Sequence, residues 1–312
     1  MTTTADRADV QAFLNFVNNV PGPKVHELDA PAARLQMLAM GPVAEVETGP
    51  LAVIKDLAIP GPEGVIPARL YDARETREPG PVMVFYHGGG FVIGDLITHE
   101  PYCAEAARML DMPVIAIDYR LAPEYPWPAA PDDCEAATRW IADNIPCTGI
   151  ITSGDSAGGN LAIVTTMALR DAPASVPVIA QFPIYPVVDD GGEWGSYHEH
   201  NQGKLLTTDT MRYFTEAYKA ESGHARAYPL SEDHTGMPPT LVLTASLDPL
   251  RDQGRAYAGA LIAAGVPTIY REAVGNIHGF IMLRKAIPSS QADVVGALAA
   301  LKAMIAELTV SA

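Results

Sequence analysis

The 312-residue chain is 48% hydrophobic and 19% charged, ample for one buried core with a small appended piece and too apolar for a disordered chain. Its 37 acidic against 21 basic residues give a formal charge of −16, which repels nucleic acid and anionic lipid headgroups and reads most simply as solubility. Cys103, Cys134 and Cys147 are an odd number without CxxC spacing, so neither a disulfide framework nor a zinc ribbon is expected.

The opening Met1-Thr2-Thr3-Thr4-Ala5-Asp6-Arg7 lacks a basic region followed by an apolar one, so no secretory signal is expected. No run of about 18 apolar residues exists to span a bilayer, and the expectation is a soluble, cytoplasmic protein without membrane insertion. Residues 5–45 read as helices. Val10, Phe13, Leu14 and Val17 recur at helical spacing and Pro21-Gly22-Pro23 ends the run. A second helix, N-capped by Asp29, runs to about Met40 before Gly41-Pro42.

Residues 53–57 and 66–71 predict two strands joined by the turn-rich Pro60-Gly61-Pro62-Glu63-Gly64. Apolar runs at 81–86, 113–118 and 149–153 then alternate with helical stretches at 99–110, 130–144 and 156–170. Further strands are expected at 176–182, 240–245 and 267–272, with helices running to about 264 and over 289–308. This alternation predicts an α/β fold with a mostly parallel sheet buried on both faces and flanked by helices. Residues 189–235 are polar, with one helical stretch at 208–219, and read as an insertion. The expected division is residues 1–45 as the first part of a helical cap, 46–188 and 236–312 as the catalytic body, and 189–235 as the second part of the cap.

Gly154-Asp155-Ser156-Ala157-Gly158 follows one predicted strand and opens a helix, the setting of a nucleophile elbow. Ser156 is therefore the expected nucleophile. His87-Gly88-Gly89-Gly90-Phe91 follows another strand, and its glycines leave backbone N–H groups free to face a developing oxyanion. Gly88 and Gly89 are assigned as donors, with the amide of Ala157 as the third. No GxGxxG or GK[ST] pattern follows, which weakens a phosphate-loop reading. Of eight histidines, His278 is the expected base, because it follows the last predicted strand beside Gly279. Asp248 follows the strand at 240–245 and is expected to orient that imidazole; Asp252, one helical turn later, is expected to point away. His198-Glu199-His200 is not HExxH and reads as a solvated loop, so no metal site is expected.

With these residues in place the sequence resembles the bacterial hormone-sensitive-lipase-like (family IV) esterases of the α/β-hydrolase superfamily, in the form with GDSAG. The likeness covers about residues 80–280. It rests on His87-Gly88-Gly89-Gly90-Phe91, Asp118-Tyr119-Arg120-Leu121-Ala122-Pro123-Glu124, Pro128-Ala129-Ala130, Gly154-Asp155-Ser156-Ala157-Gly158-Gly159-Asn160, Asp248-Pro249-Leu250-Arg251-Asp252 and His278-Gly279-Phe280. The resemblance implies an eight-stranded sheet, a helical cap, a serine carboxylesterase acting on short-to-medium acyl esters, and a homodimer formed through an edge strand. It requires no cofactor. Gln253 departs from the pattern, where relatives often carry an acid, and the cap matches poorly. Arg120 and its neighbouring prolines read as a brace for the loop beneath the oxyanion hole. An amidase or formamidase would use the same residues. A non-catalytic receptor is the other competing reading, but plant gibberellin receptors of this kind lose the histidine, which is present here. A dehalogenase or epoxide hydrolase needs aspartate at the elbow apex, and Asp155 stands one residue too early.

Overall fold

The computed structural model describes residues 7–190 and 192–310. Residues 1–6, 191 and 311–312, which fall within the expected cap and body, lie outside the described residues. One eight-stranded sheet organises the chain: β1 (Val53–Gly61), β2 (Gly64–Asp72), β3 (Gly80–Tyr86), β4 (Val114–Ile117), β5 (Cys147–Asp155), β6 (Val178–Ile184), β7 (Thr240–Leu247) and β8 (Thr268–Ile277). Their spatial order is β1-β2-β4-β3-β5-β6-β7-β8, with β2 antiparallel to both neighbours and every other pair parallel.

The helices are α1 (Ala8–Asn19), α2 (Ala30–Ala44), α3 (Leu96–Leu110), α4 (Ala129–Asn144), α5 (Ala157–Asp171), α6 (Gly195–Glu199), α7 (Thr208–Tyr218), α8 (Arg251–Ala263) and α9 (Ser290–Val310). Strand alternation divides the core. In β3, Met83 and Phe85 join α3 and α9 on one face, whereas Val82, Val84 and Tyr86 join α4 and α5 on the other. With apolar residues buried on both faces, the central strands read as nearly continuous hydrophobic runs.

Three local expectations need correction. Pro60 and Gly61 are strand residues, since Gly61 pairs directly with Gly64 and leaves a two-residue hairpin. Helix α2 starts at the Asp29 cap, whose Oδ1 accepts from Ala32 N at 2.9 Å, but it continues through Gly41-Pro42. Beyond the proline, buried Ala44 accepts from Lys285 N and Ala286 N, and Glu45 receives Arg284 Nε at 2.7 Å, so tertiary contacts hold the last turn. His198-Glu199-His200 ends a short helix and is not a loop, although His198 and Glu199 are solvated as expected. It closes the short α6 against α8, with His200 buried and Glu199 2.8 Å from Arg251.

Helix α1 lies over the carboxyl ends of β7 and β8, where Val10, Phe13 and Leu14 meet Leu247 and Ile277. Helix α7 is fixed at its far end: the Tyr218 ring stacks on Phe91 at 3.8 Å, and Tyr218 O accepts from Trp127 N at 2.8 Å.

Candidate active site

The ends of β3, β5, β7 and β8 bring His87, Ser156, Asp248 and His278 to one edge of the sheet. Ser156 occupies the turn between β5 and α5 at φ +56° and ψ −118°, a region costly for a residue with a Cβ. The turn is possible because Gly158 packs on the backbone of β3: a Cβ there would lie 1.9 Å from Tyr86 O. Ser156 N donates to Ile184 O at 2.8 Å, which ties the turn to β6.

His278 Nε2 lies 2.9 Å from Ser156 Oγ, and Nδ1 lies 2.7 Å from Asp248 Oδ2. Asp248 is fully buried, and its other oxygen accepts from Leu250 N at 2.8 Å. The Tyr185 ring, 4.6 Å away, flanks the imidazole. An imidazole held on one nitrogen by a buried carboxylate can take a hydroxyl proton on the other as the oxygen attacks an electrophile. Asp252 stands apart, accepting from Ser196 N at 2.8 Å and paired with Arg251 and Arg255.

The glycine loop corrects one assignment. Gly88 N donates to Asp155 Oδ1 at 2.7 Å, so its N–H is committed inward and is not free for a substrate oxygen. The amides of Gly89 and Gly90 have no acceptor among the described residues, and neither has that of Ala157 in the first turn of α5. Gly89 and Gly90 have φ of +119° and +60°. Position 90 is closed to any side chain, because a Cβ would lie 2.1 Å from the Phe214 ring of α7. The brace is as expected: Arg120 Nε and Nη2 reach Asp133 at 2.9 and 2.8 Å, and Tyr119 OH donates to His87 O at 2.7 Å.

Burial, reinforced by His99, pushes the His87 pKa down to about 4, so this imidazole is neutral near pH 7. Burial alone would raise the pKa of Asp155. His99, the Gly88 N–H and His278 outweigh it and hold the carboxyl below its usual range. Sequence reasoning missed the connection between Asp155 and His99, which are 56 positions apart in number and share no local pattern. It also missed Phe214, which belongs to an unremarkable amphipathic helix.

Among the described residues no group of three or more His, Cys, Asp or Glu side chains could hold a metal ion. No helix among them is long and apolar enough to cross a membrane. The sequence pattern of the alpha/beta hydrolase fold matches residues 83–282. The carboxylic ester hydrolase LipN of Mycobacterium tuberculosis is 37% identical over 302 residues, covering 90% of this chain and 78% of that protein. Esterase LipI of the same organism is 34% identical, covering 89% of each. An ester hydrolase from the metagenome of Lake Arreo, solved with a derivative of bipyridine phosphonate, superposes with a TM-score of 0.90 at 36% identity, covering 96% of this chain and 99% of that one.

Proposed function

We propose that this chain, which belongs to the α/β-hydrolase fold family and is a carboxylic ester hydrolase, cleaves short-to-medium acyl esters through Ser156, His278 and Asp248. The observation that carries the assignment is the pair of contacts at His278, 2.9 Å to the hydroxyl and 2.7 Å to the buried carboxylate. His278 takes the Ser156 proton as Oγ attacks the ester carbonyl. The tetrahedral oxyanion is received by the amides of Gly89, Gly90 and Ala157, with Gly90 replacing the committed Gly88. Collapse releases the alcohol, which leaves with the proton from His278. Water then repeats the sequence on the acyl-enzyme, restoring Ser156 and releasing the acid.

Residues 1–45 and 189–235 form the cap in this reading, over a body of 46–188 and 236–312. Asn18 Nδ2 donates to Gly203 O at 3.1 Å and Thr210 Oγ1 lies 3.4 Å from His26 Nδ1, so the two segments meet. Phe214 brings the second segment onto the oxyanion loop. The partner is a small-molecule ester. Three unpaired cysteines suit a reducing cytoplasm, and the edge strand β8, with Ile269 and Val274 exposed, suits pairing with a second copy.

The decisive test is hydrolysis of p-nitrophenyl butyrate by S156A. Turnover should fall about 10⁴-fold or more while the protein remains folded. Half the wild-type rate in that variant would remove Ser156 from the mechanism.

A further inference from the structure

We propose that Asp155 and His99 form a second buried carboxylate–imidazole pair that positions the oxyanion loop relative to Ser156. The inference rests on the hydrolytic reading above, which gives that loop an anion to receive.

Asp155 ends β5 and directly precedes Ser156. Its carboxylate is buried, with Oδ1 2.7 Å from Gly88 N and 3.1 Å from His99 Nε2, while Oδ2 accepts from Tyr185 OH at 3.3 Å. The contact with Gly88 is steric as well as polar, since a Cβ there would lie 2.4 Å from Asp155 Oδ2. The residue before the nucleophile thus clamps the first glycine of the loop. An isolated carboxylate at this depth would be costly, and His99, itself buried in the first turn of α3, is its counterpart.

Peptide planarity carries the clamp to the donors. The N–H of Gly89 shares a rigid plane with Gly88 O, which lies 2.8 Å from His87 Nδ1. The N–H of Gly90 shares a plane with Gly89 O, which accepts from Val92 N at 3.0 Å and Ile93 N at 2.9 Å. These bonds set the directions of both free amides. They do not set the distance of the loop from the serine turn. That distance is set by the packing of Gly158 on the backbone of Tyr86 and His87 and, one residue nearer the donors, by the Asp155–Gly88 bond, which joins the residue beside Ser156 to the residue beside Gly89. Asp155 touches neither the reacting hydroxyl nor a substrate atom, so it is a positioning residue, and His99 positions it in turn.

The test compares D155A, D155N and H99N by kcat and KM for p-nitrophenyl butyrate, with active sites counted by titration with diethyl p-nitrophenyl phosphate. The Ki of a trifluoromethyl ketone, whose hemiketal oxygen occupies the oxyanion donors, is measured beside them. For D155A, kcat per titrated site should fall about 10²-fold, as for a lost oxyanion donor, with KM changed less than about threefold and Ki raised by the factor lost in kcat. D155N retains an oxygen for Gly88 N–H and should recover about tenfold of that loss. H99N should lower kcat about tenfold with the same split between kcat and KM. If D155A does not fold, the other two variants carry the comparison. Wild-type kcat and Ki in H99N, or a higher KM with kcat and Ki unmoved in D155N, would overturn the proposal. An active S156A would instead remove the hydrolytic reading, whatever these three variants do.

Discussion

Replacing Asp248 by asparagine changes one atom in a fully buried side chain and should nearly abolish turnover. In the native site one carboxylate oxygen accepts from Leu250 N at 2.8 Å and the other faces His278 Nδ1 at 2.7 Å. The amide has one oxygen, and the backbone N–H of Leu250 claims it, which turns the NH₂ toward the imidazole. Two N–H donors cannot face each other, so the ring adopts the tautomer with a bare Nδ1 and a protonated Nε2. Nε2 then donates to Ser156 Oγ across 2.9 Å instead of accepting its proton. A loss of about 10⁴-fold in kcat follows, equivalent to about 5.5 kcal/mol of transition-state stabilisation. The fold should survive, because the amide fills the same volume. The assay is steady-state hydrolysis of p-nitrophenyl butyrate by D248N, beside thermal unfolding and D252N as a control. Asp252 is held by arginines and Ser196, so its variant should stay within about threefold of wild type. A D248N enzyme with a tenth of the wild-type kcat would refute the tautomer argument.

Three further perturbations test the surroundings. G158A drives a Cβ to 1.9 Å from Tyr86 O, which is backbone and cannot turn aside, so stability should fall by about 3 kcal/mol in urea unfolding; an unchanged midpoint would contradict the packing. Q253E removes the amide that donates to Asp189 O at 3.0 Å and to Tyr197 OH, and places a carboxylate where Val188 N donates at 2.8 Å in a fully buried setting. It should cost about 3 kcal/mol, more at pH 8 than at pH 5, because the charged form is the costly one; equal loss at both would count against it. Burial, followed by the charge of Asp95, raises the Asp118 pKa to about 6. The folded state therefore binds this proton more tightly than the unfolded chain, and stability is lost as pH rises from the ordinary carboxylate range through about 6. D118N escapes that loss and should be about 1–2 kcal/mol more stable than wild type at pH 8, discounted for partial exposure, with little difference at pH 4. A constant difference at both pH values would refute the assignment.

Strands and helices were legible where burial and periodicity agree, as in β3, β5 and α5. The convergence of Ser156, Asp248 and His278 was also readable, because each follows an apolar run whose carboxyl end must lie at the same edge of a parallel sheet. The choice between Gly88 and Gly90 was not. Which amides of a glycine run are left free depends on peptide-plane orientation, and here a carboxylate from another strand decides it. Helix α6 was illegible for a related reason. Its five residues have little helix propensity and stand only because Ser196 and Glu199 dock on Asp252 and Arg251. Likewise, the helix stop expected at Gly41-Pro42 failed because Glu45 and Arg284 meet across 239 positions.

The stacking of Tyr218 on Phe91 has a consequence for how this enzyme could be retuned. Phe91 immediately follows Gly90, so the final residue of α7 is planted on the loop proposed to receive the oxyanion. Rocking that helix about its final residue would tug on that loop, and just ahead of Thr208, Leu205 packs with Leu247 and Ile277, the neighbours of Asp248 and His278. Under the proposed mechanism, then, neither end of this eleven-residue helix can be recut without disturbing a neighbour of the groups assigned to the chemistry.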